Sequence, residues 1–179
     1  MSTEQQFDQI TARCQKIFRE KMGDYGPSWR IFRLHGITDQ LYIKAKHIRQ
    51  LQETGVSLIG DSIEGDLQAI VNYGITAIIQ TRHAFADNID MSSEEAMKLY
   101  EETLNEAREL MIRKNHDYGE AWREMSKEGI ADMIFAKIIR IKTILENDGK
   151  TTVSEGVEGN YFDIINYAIF DLIHYDEEK

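Results

Sequence analysis

Apolar residues recur every three or four positions along most of the chain, a spacing that places them on one face of an α-helix. Phe7, Ile10 and Cys14 begin the first such stripe, just after Ser2-Thr3-Glu4-Gln5, whose residue types suit a helix-capping box. The pattern predicts three helices in each half of the chain. Their approximate ranges are 4–22, 38–53 and 62–81 in the first half, and 92–113, 131–146 and 155–175 in the second.

The fold class that this pattern predicts is all-α. β-branched residues cluster at 75–79 and 134–144 and would suit strands if taken alone, but their charged, helix-forming flanks favour helix. The chain has a single proline, Pro27, which agrees with this prediction because helix interiors exclude proline. We therefore expect a helical bundle.

The second half of the chain repeats the first. Uncommon residue types between Lys21 and Lys44 recur 93 positions later, and those between Glu64 and Ile79 recur 94 positions later. The extra residue falls between about Leu51 and Asp61, in a predicted loop, where insertions are tolerated. The matching pairs include Lys21/Lys114, Asp24/Asp117, Tyr25/Tyr118, Trp29/Trp122, Arg30/Arg123, Lys44/Lys137, Glu64/Glu158, Asn72/Asn166 and Tyr73/Tyr167.

This repetition predicts how the chain is organised. Residues 1–82 would form the first three-helix repeat, 83–91 a linker, and 92–179 a second repeat related to the first by a pseudo-twofold axis. Because the linker is short and the apolar faces match, we expect one shared core. Apolar positions differ freely between the halves whereas the polar pairs are identical, so the polar residues hold either the fold or a ligand.

Charge and composition restrict the function. A formal net charge of −10 argues against general binding to a nucleic-acid backbone, but it is compatible with a small phosphorylated ligand bridged by a divalent metal ion. One cysteine, Cys14, excludes an internal disulfide and fits a reducing cytosol. The first residues lack the features of a signal peptide, and no stretch reaches about 18 apolar residues. We expect a cytoplasmic protein without a membrane span.

Acidic residues share one face of the last predicted helix. On a helical wheel, Glu155, Glu158, Asp163 and Asn166 fall within an arc of about 140°. Carboxylate and amide oxygens arranged in this way suit a hard divalent cation such as Mg²⁺. Glu155, Glu158 and Asp163 are therefore candidate metal ligands, and Glu158 and Asp163 are candidate catalytic residues.

The first half carries a reduced version of this face. Asp61 and Glu64 occupy the corresponding positions and are candidate metal ligands there, whereas Ala69 stands in place of Asp163. An alternative exists for Asp61 and Glu155, because acidic residues near a helix start interact favourably with the helix dipole.

Aromatic and basic residues that recur in both halves suggest contacts to a nucleotide. A Tyr and Trp pair follows each first helix and would either stack on a base or pack in the core. A lysine on each second helix, three residues before another basic residue, would either reach phosphate oxygens or form a salt bridge to the acidic helix. A lysine before each Asp-Tyr-Gly triplet would cap a helix C-terminus. These residues are Tyr25/Trp29 and Tyr118/Trp122, Lys44/His47 and Lys137/Arg140, and Lys21 and Lys114.

The second half resembles the nucleotide modification associated domain 1 family of bacteria and phages, long described as a domain of unknown function. The resemblance covers about 70 residues, from Lys114-Asn115-His116-Asp117-Tyr118-Gly119 to the acidic end at Asn166-Tyr167. Gly65 and Gly159 stand where the family pattern has an Asp. The layout is more loosely similar to all-α nucleoside triphosphate pyrophosphatases of the MazG kind, which hold Mg²⁺ on acidic pairs from two helices; here Asp132 alone marks the earlier helix.

The resemblance implies a nucleotide-binding or nucleotide-processing protein, whose catalytic form would be a Mg²⁺-dependent nucleoside triphosphate pyrophosphohydrolase. The alternative is a non-catalytic helical interaction module, in which the repeated polar residues form a buried structural network and the acidic surface serves a protein partner or a homo-oligomer. If only one half binds a ligand, Asp163 favours the second. The candidate ligand-binding residues are Asp117, Tyr118, Trp122, Lys137, Arg140, Asn166 and Tyr167, with Asp24, Tyr25, Trp29, Lys44, Asn72 and Tyr73 in the first half.

Overall fold

The computed structural model describes residues 1–153 and 155–179, and within them the chain is helical, with no strand. The all-α prediction is confirmed. None of the described helices is both long and apolar enough to cross a membrane. The helices are α1 (Thr3–Tyr25), α2 (Leu34–Thr54), α3 (Ile63–His83), α4 (Ser93–Tyr118), α5 (Lys127–Glu146) and α6 (Val157–Glu177), and 3-10 turns at Ser28–Ile31 and Ala121–Glu124 follow α1 and α4.

Serine side chains fix several of the helix starts. The capping box predicted at the beginning of the chain is present, since the Ser2 hydroxyl accepts from the backbone N–H of Gln5 while the Gln5 side chain accepts from the backbone N–H of Ser2. Ser126 caps α5 in a similar way, accepting from the N–H of Gly129 at 3.0 Å. The prediction that this helix begins near Ala131 was therefore wrong, because the cap at Ser126 adds a turn.

Two further boundaries correct the helical-wheel argument. α6 begins at Val157 and α3 begins at Ile63, so Glu155 and Asp61 both precede their helices and lie in exposed loop segments. Placing Glu155 on the same helical wheel as Asp163 was therefore wrong. The position of Glu155 is set by the path of the loop and not by helical periodicity.

The two repeats pack around a pseudo-twofold axis. α3 and α6 form the most extensive contact between helices, and each also packs against the second helix of its own repeat and the first helix of the other. Buried apolar side chains from both repeats form one continuous cluster. At the α3–α6 contact, Gly74 is needed for close approach, because a Cβ there would lie 2.7 Å from Cγ1 of Ile165.

A buried arginine ties the connection between the repeats to the first repeat. The Arg30 guanidinium donates to Asp90 at 2.9 Å and to the carbonyl of Ala84 at 2.6 Å. Its backbone carbonyl accepts from the N–H of Ala86 and from the side-chain amide of Gln80. The segment between α3 and α4 is therefore held against the 3-10 turn of the first repeat by hydrogen bonds at several points.

Candidate functional site

An aromatic cavity lies at the same place in each repeat, between the first helix, the 3-10 turn and the third helix. The cavity of the first repeat has a volume of about 100 Å³ and that of the second about 330 Å³. Most of the polar and aromatic residues that recur in the sequence therefore lie together in three dimensions. The shared lining is Lys21, Tyr25, Trp29, Asn72 and Tyr73 in the first repeat, and Lys114, Tyr118, Trp122, Asn166 and Tyr167 in the second.

A second, more polar cavity adjoins each aromatic one. In the second repeat it has a volume of about 520 Å³ and is lined by Lys114, Lys137, Arg140, Glu155 and Asp163. Lys114, Lys137 and Asp163 also line the aromatic cavity of that repeat, so the two spaces meet at these three side chains. The first repeat has a polar cavity of about 410 Å³ at the corresponding place.

Asp163 forms an ion pair with two lysines where the cavities of the second repeat meet. Lys114 Nζ lies 2.5 Å from Oδ1 and Lys137 Nζ lies 2.8 Å from Oδ2 of this nearly buried carboxylate. Partial burial would lower the pKa of Lys114, but the hydrogen bond and the charge of Asp163 outweigh that effect and raise it. Lys137 therefore forms the salt bridge to the acidic helix that was the alternative to a phosphate contact. Lys114 pairs with the same carboxylate, that of Asp163 on α6.

The first repeat has its carboxylate one helical turn earlier. Ala69 is at the position equivalent to Asp163, and the carboxylate that pairs with Lys44 is that of Asp66 instead. Lys44 Nζ lies 3.0 Å from one oxygen of Asp66, and His47 Nδ1 lies 2.5 Å from the other. Lys21, which corresponds to Lys114, lies exposed at the cavity and makes no ion pair within 1–153 and 155–179. The repeats thus use equivalent lysines with carboxylates at different positions.

The candidate metal ligands lie in different surroundings. Glu158 pairs with Arg82 at 2.6 Å, and Arg82 also pairs with Glu106 at 2.7 Å; hydrogen bonds to both carboxylates raise the pKa of Arg82. Glu64 pairs with Lys179 at 2.7 Å. Glu155 lines the same polar cavity as Asp163, whereas Glu158 does not line it. Asp61 lines the polar cavity of the first repeat.

The tryptophans lie in the core, and the tyrosines beside them are exposed. Trp122 is 5% exposed, its ring stacks on Phe170 with centroids 4.3 Å apart, and the Arg123 guanidinium lies 4.4 Å from the ring centroid. Core packing therefore describes this tryptophan better than base stacking. Tyr118 is 73% exposed and lines the aromatic cavity, so its ring is the one available to a ligand.

The recurring asparagines connect helices. Asn72 donates its side-chain amide to the carbonyl of Cys14 and accepts from the hydroxyl of Tyr100 at 2.7 Å. Asn166 donates to the carbonyl of Ala107, but its side-chain oxygen is buried without a partner among the described residues. Phe7 is at the position equivalent to Tyr100 and has no hydroxyl to donate. The side-chain amides of both asparagines therefore form a structural hydrogen bond, as the buried-network alternative expects, whereas the oxygen of Asn166 does not.

Asp24 and Asp117 do not join the cavities. Both lie exposed at the ends of α1 and α4, where Asp117 Oδ1 is 3.0 Å from Nδ1 of His116. The pairings of Arg82 with Glu158 and of His47 with Asp66 were not predicted from the sequence. His47 was visible three residues after Lys44, but its partner was not, because the repeat alignment directs attention to Ala69.

Comparison with known proteins identifies the repeats. The model of a family described as nucleotide modification associated domain 1 matches residues 21–81 and 114–175, one segment in each repeat. These segments contain most of the residues that line the two aromatic cavities, including Lys21 and Lys114, whereas Phe18 and Met111 lie outside them. No curated protein and no solved structure matches the chain.

Proposed function

Because the chain belongs to the nucleotide modification associated domain 1 family, we propose that its second repeat binds a nucleotide across the two adjoining cavities. The observation that carries this proposal is that the aromatic cavity opens onto the polar cavity, which is lined by three basic side chains. The base would occupy the space lined by Tyr118 and Trp122, and the phosphates would lie near Lys137 and Arg140.

Size and lining favour the aromatic cavity of the second repeat for the base. Small-molecule sites usually enclose about 300–1,000 Å³, which the volume of about 330 Å³ meets and the volume of about 100 Å³ in the first repeat does not. The exposed ring of Tyr118 offers a stacking surface. The ring of Trp122 forms part of the same lining.

Charge favours phosphate in the polar cavity. Arg140 is exposed at this cavity and forms no ion pair with any described residue, so its guanidinium is available for a bidentate contact. Lys114 and Lys137 add two ammonium groups, which Asp163 holds side by side, so that three basic side chains face the two carboxylates of Asp163 and Glu155 at this cavity. The local charge here is therefore favourable to an anion despite the net charge of −10.

Mg²⁺-dependent pyrophosphohydrolysis is the second candidate, favoured by the position of Glu155 at the polar cavity. The other two carboxylates do not fit a Mg²⁺ site as they stand, because Glu158 is paired with Arg82 and Asp163 with two lysines. These two carboxylates therefore support no hydrolytic step. Mg²⁺-dependent release of pyrophosphate from a panel of nucleoside triphosphates tests this candidate, and its failure would leave the binding proposal intact.

Calorimetric titration with nucleoside triphosphates tests the binding proposal. Arg140→Gln is expected to weaken affinity at least tenfold, because a charge-assisted hydrogen bond contributes about 1.5–3 kcal/mol and about 1.4 kcal/mol is a factor of ten. Lys142→Gln is the matched control, since Lys142 lies two residues further along α5 and pairs with Asp39. Absence of binding by the native protein, or equal affinities of the two variants, would contradict the proposal and favour the non-catalytic interaction module.

A further inference from the structure

We propose that the first repeat binds a first-row divalent metal ion, such as Zn²⁺, through His47, Asp61 and Asp66. One ligand atom from each of these residues lies within 4.8 Å of the other two. The proposal concerns the first repeat alone and does not depend on nucleotide binding by the second.

Three separate segments bring these ligands together. His47 lies on α2, Asp66 lies in the first turn of α3, and Asp61 lies in the loop just before that turn. Asp66 is 1% exposed, so its carboxylate is held in a fixed position, whereas Asp61 is exposed and free to adjust. A site with one buried anchor and one adjustable ligand needs only small side-chain movements to close around an ion.

Lys44 orients the buried carboxylate without blocking it. Its Nζ lies 3.0 Å from Oδ1 of Asp66, whereas Oδ2 faces Nδ1 of His47 at 2.5 Å. The oxygen that faces the imidazole is therefore the one that would bind the ion. A carboxylate ligand supported by a hydrogen bond on its other oxygen is the usual arrangement at protein metal sites.

The adjoining polar cavity would complete the coordination. Asp61 and Asp66 both line this cavity of about 410 Å³, which has room for water molecules in the remaining positions. Three protein ligands with a water in the fourth position are a common arrangement for Zn²⁺. The imidazole nitrogen favours Zn²⁺ and related first-row ions over Mg²⁺, which prefers oxygen ligands throughout.

The second repeat provides an internal comparison. The positions of His47, Asp61 and Asp66 are occupied in the second repeat by Arg140, Glu155 and Asn160. All three of these residues line the polar cavity of that repeat. A guanidinium in place of the imidazole repels a cation, and an amide in place of the buried carboxylate removes a negative charge. The same three positions therefore favour a cation in the first repeat and an anion in the second.

Calorimetric titration of the full chain with Zn²⁺ alone, in a buffer that does not chelate it, tests this site. We expect one ion per chain, with affinity reduced at least tenfold in His47→Gln and in Asp61→Asn. Asp61→Asn changes only an exposed loop residue, so it keeps the test valid if His47→Gln disturbs folding. His35→Gln is the control, because His35 is exposed on the same helix and lies outside the cluster.

The outcomes separate this proposal from the nucleotide site. Arg140→Gln is expected to leave the Zn²⁺ affinity unchanged. The proposal would be overturned if the native protein did not bind Zn²⁺. It would also be overturned if neither His47→Gln nor Asp61→Asn weakened Zn²⁺ binding, or if only His35→Gln did.

Discussion

Asn166 donates its side-chain amide to the main-chain carbonyl oxygen of Ala107 over 3.1 Å, and Asn72 donates to the carbonyl of Cys14 over the same distance. The two bonds are equivalent under the pseudo-twofold axis, and each links the third helix of a repeat to its first. The helices on either side of each aromatic cavity are thus joined by a hydrogen bond that recurs with the repeat.

We predict that Asn166→Ala lowers the free energy of unfolding by about 1–2 kcal/mol, because a buried hydrogen bond is lost. Urea denaturation measures the change. Asn105→Ala on the exposed surface of α4 is the control, since it reports the gain in helix propensity that alanine brings at both sites. Equal stabilities of the two variants would show that the recurring asparagine does not hold the helices together.

Asp171 is a buried carboxylate in the core of α6. It has no solvent exposure, and neither of its oxygens has a hydrogen-bond partner in the described part of the chain. Burial raises the pKa of Asp171 to about 7, and the charge of Lys127 opposes this only in part. The equivalent residue in the first repeat is Ala77, so the carboxylate of Asp171 has no counterpart there.

The raised pKa predicts that stability falls as pH rises. The folded state holds the Asp171 proton up to pH about 7, whereas the unfolded chain releases it near pH 4. The stability associated with the Asp171 proton is therefore fully present below pH 4 and is lost between pH 4 and 7. Over that range the free energy of unfolding falls by at most about 1.4 kcal/mol per pH unit.

Asp171→Asn tests this pH dependence, because the amide keeps the shape and cannot ionise. The stability difference between the variant and the native protein should shift in favour of the variant from pH 5 to 8, measured by urea denaturation. Asp87→Asn is the control for the same chemical change at the surface, because Asp87 is exposed and forms no ion pair with any described residue. A pH-independent difference for Asp171→Asn would contradict the raised pKa.

Much of the fold was predictable from local patterns. Apolar spacing predicted all six helices, and Ser2 with Gln5 predicted the first cap. The start of α5 was missed because its apolar stripe begins only after the first turn, although Ser126 was available as a capping signal. The 3-10 turns were missed because four residues are too few to show a period.

The site was predictable where the repeat preserves residue types, and not where it depends on neighbours from elsewhere. Tyr118, Trp122 and Lys137 were predicted and line one cavity. The Arg82–Glu158 pair joins α3 of one repeat to α6 of the other, so neither residue type nor spacing within a repeat could predict it. The ion pair of Asp66 could not be predicted from the repeat, because Asp66 lies one helical turn before Ala69, the position equivalent to Asp163.

The proposed binding of a nucleotide by the second repeat can be tested directly, because each repeat contains one of the two tryptophans of the chain. Trp29 lines the aromatic cavity of the first repeat and Trp122 that of the second. In a ¹⁵N-labelled protein they give two indole N–H signals, which a Trp29→Phe variant assigns. On titration with a nucleoside triphosphate, we predict a saturable shift of the Trp122 signal with the Trp29 signal unchanged. A shift of the Trp29 signal alone, or of neither signal, would contradict nucleotide binding by the second repeat.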